Sequence, residues 1–483
     1  MDPLNEFHTQ QSRRAFLERS TLGLGSIALG SLLTAAPART GRNAIGGMNG
    51  LPHFTPKVKR VIYLFQSGGP AQMDMFDYKP ALAKRFGEEV PESIYPAERK
   101  TTMTSGQKSF PCAPTGLKFS QHGQAGTWLS EPLKHLAKQI DDVCVIKSMF
   151  TEAINHDPAA TLFQTGSVIP GRPSMGAWVS YGLGSENANL PAFVAMTSNG
   201  TAKQGQPLYD RLWGAGFLPG RFQGVKFRGQ GDPILDLYNP AGVTRAQRRR
   251  MLDALNKLNQ DQASRFNDPA IATRIAQYEL AFRMQMSVPE LIDTKSEPKS
   301  VLDMYGPDAT KPGRYAYNCL LARRLAERGV RFIQLYHRGW DAHGNAPKGV
   351  AEQCRDTDQG TAALLRDLKQ RGMLDDTLVL FTTEFGRTPF AQSNANQVGP
   401  GRDHNKYGFS CWIAGGGVKS GYSYGQTDEI GWKTVENPVH WHDFHATVLH
   451  LMGIDHKKLT FYHNGIERRL TNVHGHVVSD IFA

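Results

Sequence analysis

The chain has 483 residues, a net charge of +11 and five cysteines, Cys112, Cys144, Cys319, Cys354 and Cys411. That length exceeds the ~250–300 residues one hydrophobic core sustains, so it implies one large α/β domain with a substantial insertion, or two domains. The odd, widely spaced cysteines exclude a disulfide framework, and the lack of a long Lys/Arg run excludes a nucleic-acid reading; the basic balance favours anionic partners such as sulfated or phosphorylated glycans.

Residues 1–38 read as a twin-arginine export signal. Ser12, Arg13, Arg14, Ala15, Phe16 and Leu17 carry the paired arginines and the following Phe-Leu, residues 21–33 are apolar and uncharged, and Ala36, Pro37 and Ala38 offer a small-x-small cleavage site. An apolar run of about a dozen residues is too short to cross a bilayer as a helix, so no permanent membrane span is expected. The expectation is passage through the twin-arginine translocase to a periplasmic or extracellular place of work. Arg13, Arg14 and Arg19 balance Asp2, Glu6 and Glu18, so cleavage leaves the net charge unchanged. Residues 39–58 are rich in Gly, Pro, Asn and basic residues and read as a flexible linker.

The domain is expected over 59–483. Residues 58–65 (VKRVIYLF) form a β-branched, aromatic run ending in a Gly-Gly-Pro turn, which predicts a buried strand. Residues 142–146 (DVCVI) predict a second strand, and 156–165 a helix that Gly166 can stop. Residues 200–313 change character, with many Gly, Pro, Arg and Gln; 244–286 is long, helical and polar, and the whole stretch reads as an insertion or cap outside the sheet. Alternation then predicts helices over 315–328, 350–371 and 442–452, and strands over 331–336, 377–383 and 409–413. Cys144 and Cys411 fall inside apolar strand-like runs and read as core. Strands alternating with helices imply a mainly parallel sheet covered on both faces, with any ligand site beyond the strands' carboxyl ends.

Metal-competent side chains sit next to several of these strands. His337, Asp341 and His343 follow one; Glu384 and Arg387 follow another; Arg402, Asp403 and His404 precede a third; Ser67, with Asp74 and Asp77 behind it, follows the first; Asn155, His156 and Asp157 follow the second. Carboxylates and imidazoles in this mixture suit Zn²⁺, Mn²⁺, Ca²⁺ or Mg²⁺. Each has a plainer alternative. Glu384 could pair with Arg387, His404 could be bonded to Asp403, residues 155–158 could simply begin a helix, and Asp74 and Asp77 could be solvated acids after a turn. His440, His442, His445 and His450 read as packing residues of a helix.

From about Lys59 onward the chain resembles the secreted DUF1501 proteins, often described as sulfatase-like and placed in the alkaline phosphatase–sulfatase superfamily. The motifs are SGGPAQMDMFD, NHDPAATLFQTG, GWDAHGN, TEFGRTP and GRDHNKYG. The resemblance implies a three-layer α/β/α sandwich with a metal site at the strand ends, where phosphate or sulfate esters are split. Asp341 with His343, then Glu384, then His404 resemble its ligand sets, with Asp74 the nearest counterpart of an N-terminal ligand and Ser67 where that ligand would be expected. Phe385 replaces the second member of an Asp-His pair. His156 stands in the place of the Cys or Ser nucleophile of sulfatases, and Ala160 in that of their arginine, so formylglycine chemistry is excluded. His156 could act as ligand, nucleophile or general acid, and Arg387 and Arg402 could neutralise substrate charge, with Ser67 and Asn155 as further substrate contacts. The expectation is a secreted metal-dependent hydrolase of phosphate or sulfate esters, those of polysaccharides among them; the alternative is a non-catalytic periplasmic or surface protein that binds anionic glycans on the same fold.

Overall fold

In the computed structural model, residues 46–94, 101, 103–201, 205–206, 208–229, 231–235, 237–266, 269–392 and 400–483 are described. The export signal at 1–38 and the first part of the linker lie outside them. The second part is not a free linker: the Met48 amide donates to Gly182 O at 3.0 Å, His53 to Gly453 O at 2.9 Å and Lys57 to Leu451 O at 2.8 Å. Backbone bonds to two separate helix ends therefore tie this segment to the body.

Among the described residues, nine strands form the central sheet. In chain order they are β1 (Arg60–Ser67), β2 (Val143–Phe150), β3 (Phe193–Ser198), β4 (Val225–Phe227), β5 (Phe332–Arg338), β6 (Thr377–Thr382), β7 (Phe409–Gly415), β8 (Tyr422–Tyr424) and β9 (Val439–His440). Their spatial order is β8-β2-β7-β6-β1-β5-β3-β4, with β9 also on β2. Every pairing is parallel except the two made by β7, which runs antiparallel to β2 and β6. The mainly parallel sheet expected from the sequence is thus present, with one reversed strand inside it. That reversal matters for the site, because it brings the residues just before β7 to the edge where the parallel strands end.

The helices of nine or more residues are α1 (His156–Thr165), α2 (Met175–Leu183), α3 (Arg245–Phe266), α4 (Pro269–Ile292), α5 (Tyr315–Glu327), α6 (Ala346–Gln370) and α7 (Trp441–Leu451). Strand alternation sorts them into two layers. Ile62 and Leu64 of β1 join Ile333, Leu335, Val379 and Phe381 under α5 and α6. Val61, Tyr63 and Phe65 join Phe332, Leu378, Leu380 and Cys411 under α1, α2 and α7. Full burial of each such side chain is worth ~1.5–3 kcal/mol, which explains why the central strands read as unbroken apolar runs. All five cysteines are buried free thiols.

One expectation is corrected. The segment 200–313 is not wholly outside the sheet, because β4 pairs parallel with β3 as its edge strand. Its helical part holds α3 and α4, and Met284, Val288 and Leu291 of α4 are buried in the core beside α5. The strand β3 and helix α2 carry no expectation from the sequence reading. No helix of the described residues is long and apolar enough to cross a membrane.

A candidate metal centre at the carboxyl edge of the sheet

Four chain segments meet beyond the ends of β1, β5 and β6. The first is the turn after β1. Gly68 adopts φ +124°, and a Cβ there would stand 2.5 Å from the Asp341 amide nitrogen, so only glycine lets this turn approach the loop after β5 so closely. The Trp340 amide donates to Ser67 O at 3.3 Å, and its indole Nε1 to Gln66 Oε1 at 3.0 Å, fixing the loop that carries Asp341 and His343. The third segment leaves β6 through Glu384 and Phe385, and its Gly386–Arg387 bridge pairs antiparallel with His404–Asn405. The fourth is the start of α1, where His156 is the first helical residue.

Together these segments converge His156, Asp341, His343 and His404, with one donor atom from each lying within 4.8 Å of the others. Asp341 Oδ1 is the centre of the group. It lies 2.7 Å from His343 Nε2, 3.3 Å from His156 Nε2 and 3.6 Å from His404 Nε2. Each ring is fixed from behind by an acceptor on Nδ1: Glu384 Oε1 at 2.6 Å for His156, Ile154 O at 2.8 Å for His404 and Gln392 Oε1 at 2.5 Å for His343. An acceptor on Nδ1 requires a proton there, so in the neutral ring the Nε2 lone pair points inward. His156 Nε2 and His404 Nε2 are buried with no hydrogen-bond partner. Three inward lone pairs around a carboxylate, each oriented by a second partner, is the arrangement that a divalent cation satisfies.

The electrostatics agree. Burial works against an ionised Asp341, but the close imidazoles of His156, His343 and His404, with the charge of Arg387, hold its carboxyl far below the usual carboxylate range. Burial, Arg387 and His156 push the His404 imidazole down to about 4, despite the nearby Asp341 carboxylate. His156 moves the other way: burial opposes its charged form, yet the Asp341 and Glu384 carboxylates raise it. The Phe385 ring stands 4.8 Å from the His156 ring and 4.5 Å from that of His404, walling this side of the group with hydrocarbon.

The structure brings together Asp341, His343 and His404 from the expected ligand set with His156, for which ligand was one of three open roles. Glu384 belongs to the centre differently. Its carboxylate accepts from the Gly68 amide at 2.8 Å, from Thr383 Oγ1 at 3.1 Å and from His156, so it orients a ring rather than facing inward with the others; its partner is His156, not Arg387. Asp74 is outside the cluster. It and Arg402 are both 0% exposed and bonded to each other at 3.1 and 3.3 Å. Arg402 Nη1 donates to Thr388 O and Nη2 also to Ala113 O, each at 3.0 Å, so neither the ligand role expected of Asp74 nor the substrate contact expected of Arg402 fits these positions. Arg387 is 1% exposed and its Nη2 lies 2.6 Å from Asp341 Oδ1, so it acts on the carboxylate and is withdrawn from a substrate. Ser67 is buried at the end of β1, and Asn155 is exposed at the start of α1, which it caps through its backbone carbonyl and not its side chain.

Two site residues have no signature in the sequence. Gln206 Nε2 donates to Asp341 Oδ2 at 2.9 Å, and Gln392 holds His343. Glutamine marks no chemistry by itself, and both reach the centre from loops whose course only packing sets. The histidines of α7 pack as expected. His442 Nε2 donates to Gly166 O at 3.2 Å and His445 Nε2 to Phe163 O at 2.7 Å, so they satisfy carbonyls at the carboxyl end of α1.

The family model described as "Protein of unknown function (DUF1501)" matches residues 58–482. No curated protein matches the sequence. Among solved structures, the PsFucS1 sulfatase from Pseudoalteromonas sp. is 13% identical, with 85% of this chain and 70% of that one covered at a TM-score of 0.36. The phosphonate monoester hydrolase SpPMH from Silicibacter pomeroyi is 12% identical, with coverage of 66% and 68% and a TM-score of 0.28. The alkaline phosphatase from the Antarctic bacterium TAB5 is 14% identical, with coverage of 77% and 96% and a TM-score of 0.27. At these identities and TM-scores, none above 0.36, the likeness identifies no residue of the site.

Proposed function

The chain belongs to the DUF1501 family, and from that premise we propose that it is a metal-dependent hydrolase of phosphate or sulfate esters that works outside the cytoplasm. The observation that carries the metal half of the reading is the set of three imidazoles with Nδ1 occupied and Nε2 turned onto Asp341. Imidazole-rich donors favour Zn²⁺ and similar transition-metal ions over Ca²⁺ and Mg²⁺, which prefer all-oxygen sets. Such an ion, when bound, supplies Lewis acidity that polarises an ester oxygen and makes water a nucleophile near neutral pH.

The chain's own residues prepare that chemistry. Glu384 holds the His156 tautomer and is itself held by the Gly68 amide. Arg387 and Gln206 grip the two oxygens of Asp341. Phe385 keeps water from one side of the rings. His156 stands where sulfatases have their nucleophile, and an imidazole fixed by Glu384 serves here as ligand rather than as a covalent nucleophile. The ester half of the reading rests on the resemblance of the sequence motifs and on the basic charge of the chain, which favours anionic substrates.

His156 in the place of a Cys or Ser nucleophile, and Phe385 in the place of a second ligand, support a second reading, a non-catalytic protein that binds anionic glycans. One experiment separates the two. The metal-loaded protein is assayed on a panel of phosphate monoesters, phosphodiesters and sulfate esters, with and without chelator. Turnover abolished by chelation supports the hydrolase. No turnover on any ester by a protein with stoichiometric metal defeats it.

A further inference from the structure

The oxygens around Arg387 form a cage of their own. Its Nε donates to Gly69 O at 2.7 Å, its Nη1 to Arg402 O at 3.1 Å, and its Nη2 to Gly68 O and, at 2.6 Å, to Asp341 Oδ1. Three backbone carbonyls and one carboxylate oxygen, shut from solvent, are oxygen donors of the kind a hard cation such as Ca²⁺ takes, four of the ~6–8 it uses. The chain fills that set with a tethered guanidinium. Asp341 Oδ1 therefore faces a fixed positive charge on one side and the three imidazoles on the other, as a carboxylate does when it bridges two cations.

We propose that Arg387 is the built-in second cation of this centre, so that the protein takes one metal ion per chain, at the His156, Asp341, His343 and His404 group, with no second ion site beside it among the described residues. The remaining acids near the site are committed. Glu384 is bonded to His156 and Gly68, Asp74 to Arg402, and Asp403 accepts from Thr104 Oγ1 at 2.8 Å and from the His404 amide at 2.7 Å. Among the described residues, one group of three or more metal-competent side chains converges, and it is this one. The inference rests on the metal reading above and adds to it a count and a role: Arg387 positions and charge-balances Asp341, and does not touch substrate.

The test is stoichiometric. The intact protein is stripped of metal, saturated with Zn²⁺, and counted by elemental analysis and native mass spectrometry, then titrated calorimetrically with Ca²⁺. One Zn²⁺ per chain and no Ca²⁺ uptake is the expected result. Two tightly bound ions per chain would overturn the inference while sparing the metal reading; none would overturn both. In Arg387→Ala the emptied cage is expected to take up one Ca²⁺ per chain in the Zn²⁺-loaded protein, with a rise in Tm on Ca²⁺ addition. A folded variant that ignores Ca²⁺ contradicts the cage. Should that variant fail to fold, Arg387→Lys, which keeps a cation tethered there, is expected to retain one Zn²⁺ per chain and exclude Ca²⁺. Ca²⁺ uptake by this lysine variant would count against the role.

Discussion

Glu384 Oε1 and His156 Nδ1 lie 2.6 Å apart, and this contact decides which nitrogen of His156 faces the centre. A strand end thereby controls the donor atom of a helix start from 228 positions away in the sequence.

Substituting Glu384 with Gln keeps the shape but removes the charge that holds the His156 tautomer. Loss of an outer partner of this kind costs ~10–100-fold in metal affinity. Calorimetric titration of the stripped variant with Zn²⁺ should show that weakening at unchanged stoichiometry. An affinity equal to that of the unmodified protein would show that Glu384 does not orient a ligand.

Asp74 and Arg402 form a fully buried pair. Removing one partner from such a pair costs ~3–5 kcal/mol, because the other charge stays buried and unpaired. Asp74→Ala should therefore unfold at much lower denaturant concentration while still binding metal in proportion to its folded fraction. Loss of metal from fully folded Asp74→Ala would restore Asp74 to the ligand set.

Gly68→Ala places a methyl group against the Asp341 amide at a backbone conformation that side chains rarely adopt. Strain of this kind costs ~1–3 kcal/mol. The loop carrying Asp341 must move to relieve it, so both thermal stability and Zn²⁺ affinity should fall. A variant equal to the parent in both would mean that the turn and the loop are not tightly coupled.

Burial, with the neighbouring His442, pushes the His445 imidazole down to about 3. The unfolded chain, with His near 6.5, then binds more protons than the native one between those values, so stability is present above ~6.5 and is lost as pH falls toward 3. The slope from this group is at most ~1.4 kcal/mol per pH unit. Unfolding midpoints measured from pH 7 to 4 should fall less steeply in His445→Gln than in the parent. Parallel curves would remove His445 from the account.

The export reading has its own test. Replacing Arg13 and Arg14 together with Lys should leave the full-length chain in the cytoplasm, while the parent appears in the periplasmic or extracellular fraction. Equal fractionation of the two would sink the twin-arginine assignment.

The apolar runs at β1, β6 and β7 were legible because a central strand buried on both faces has no polar face to hide its period. So were the helices α1, α5, α6 and α7, and the location of the site beyond the strand ends. Asp341, His343 and His404 were legible as metal-competent residues beside strands. Their neighbours Glu384 and Asp74 looked the same in the sequence, because an acid that grips a metal and one that grips a histidine or an arginine are written with the same letter. Gln206 and Gln392 were invisible for the opposite reason: an amide gains a role only from what it touches.

By itself, then, the sequence determined the layered fold, the family motifs and the edge of the sheet where chemistry gathers, because hydrophobic period and turn glycines are local properties. Tertiary structure alone decided the donor set. The reversal of β7 carries His404 to the edge where β5 leaves Asp341 and His343, and Glu384 turns His156 toward them. It also decided that Arg387 and Arg402 are enclosed among carbonyls and carboxylates rather than offered to a substrate. Coordination and charge pairing depend on distances of about 3 Å between residues far apart in the chain, and no local pattern encodes them.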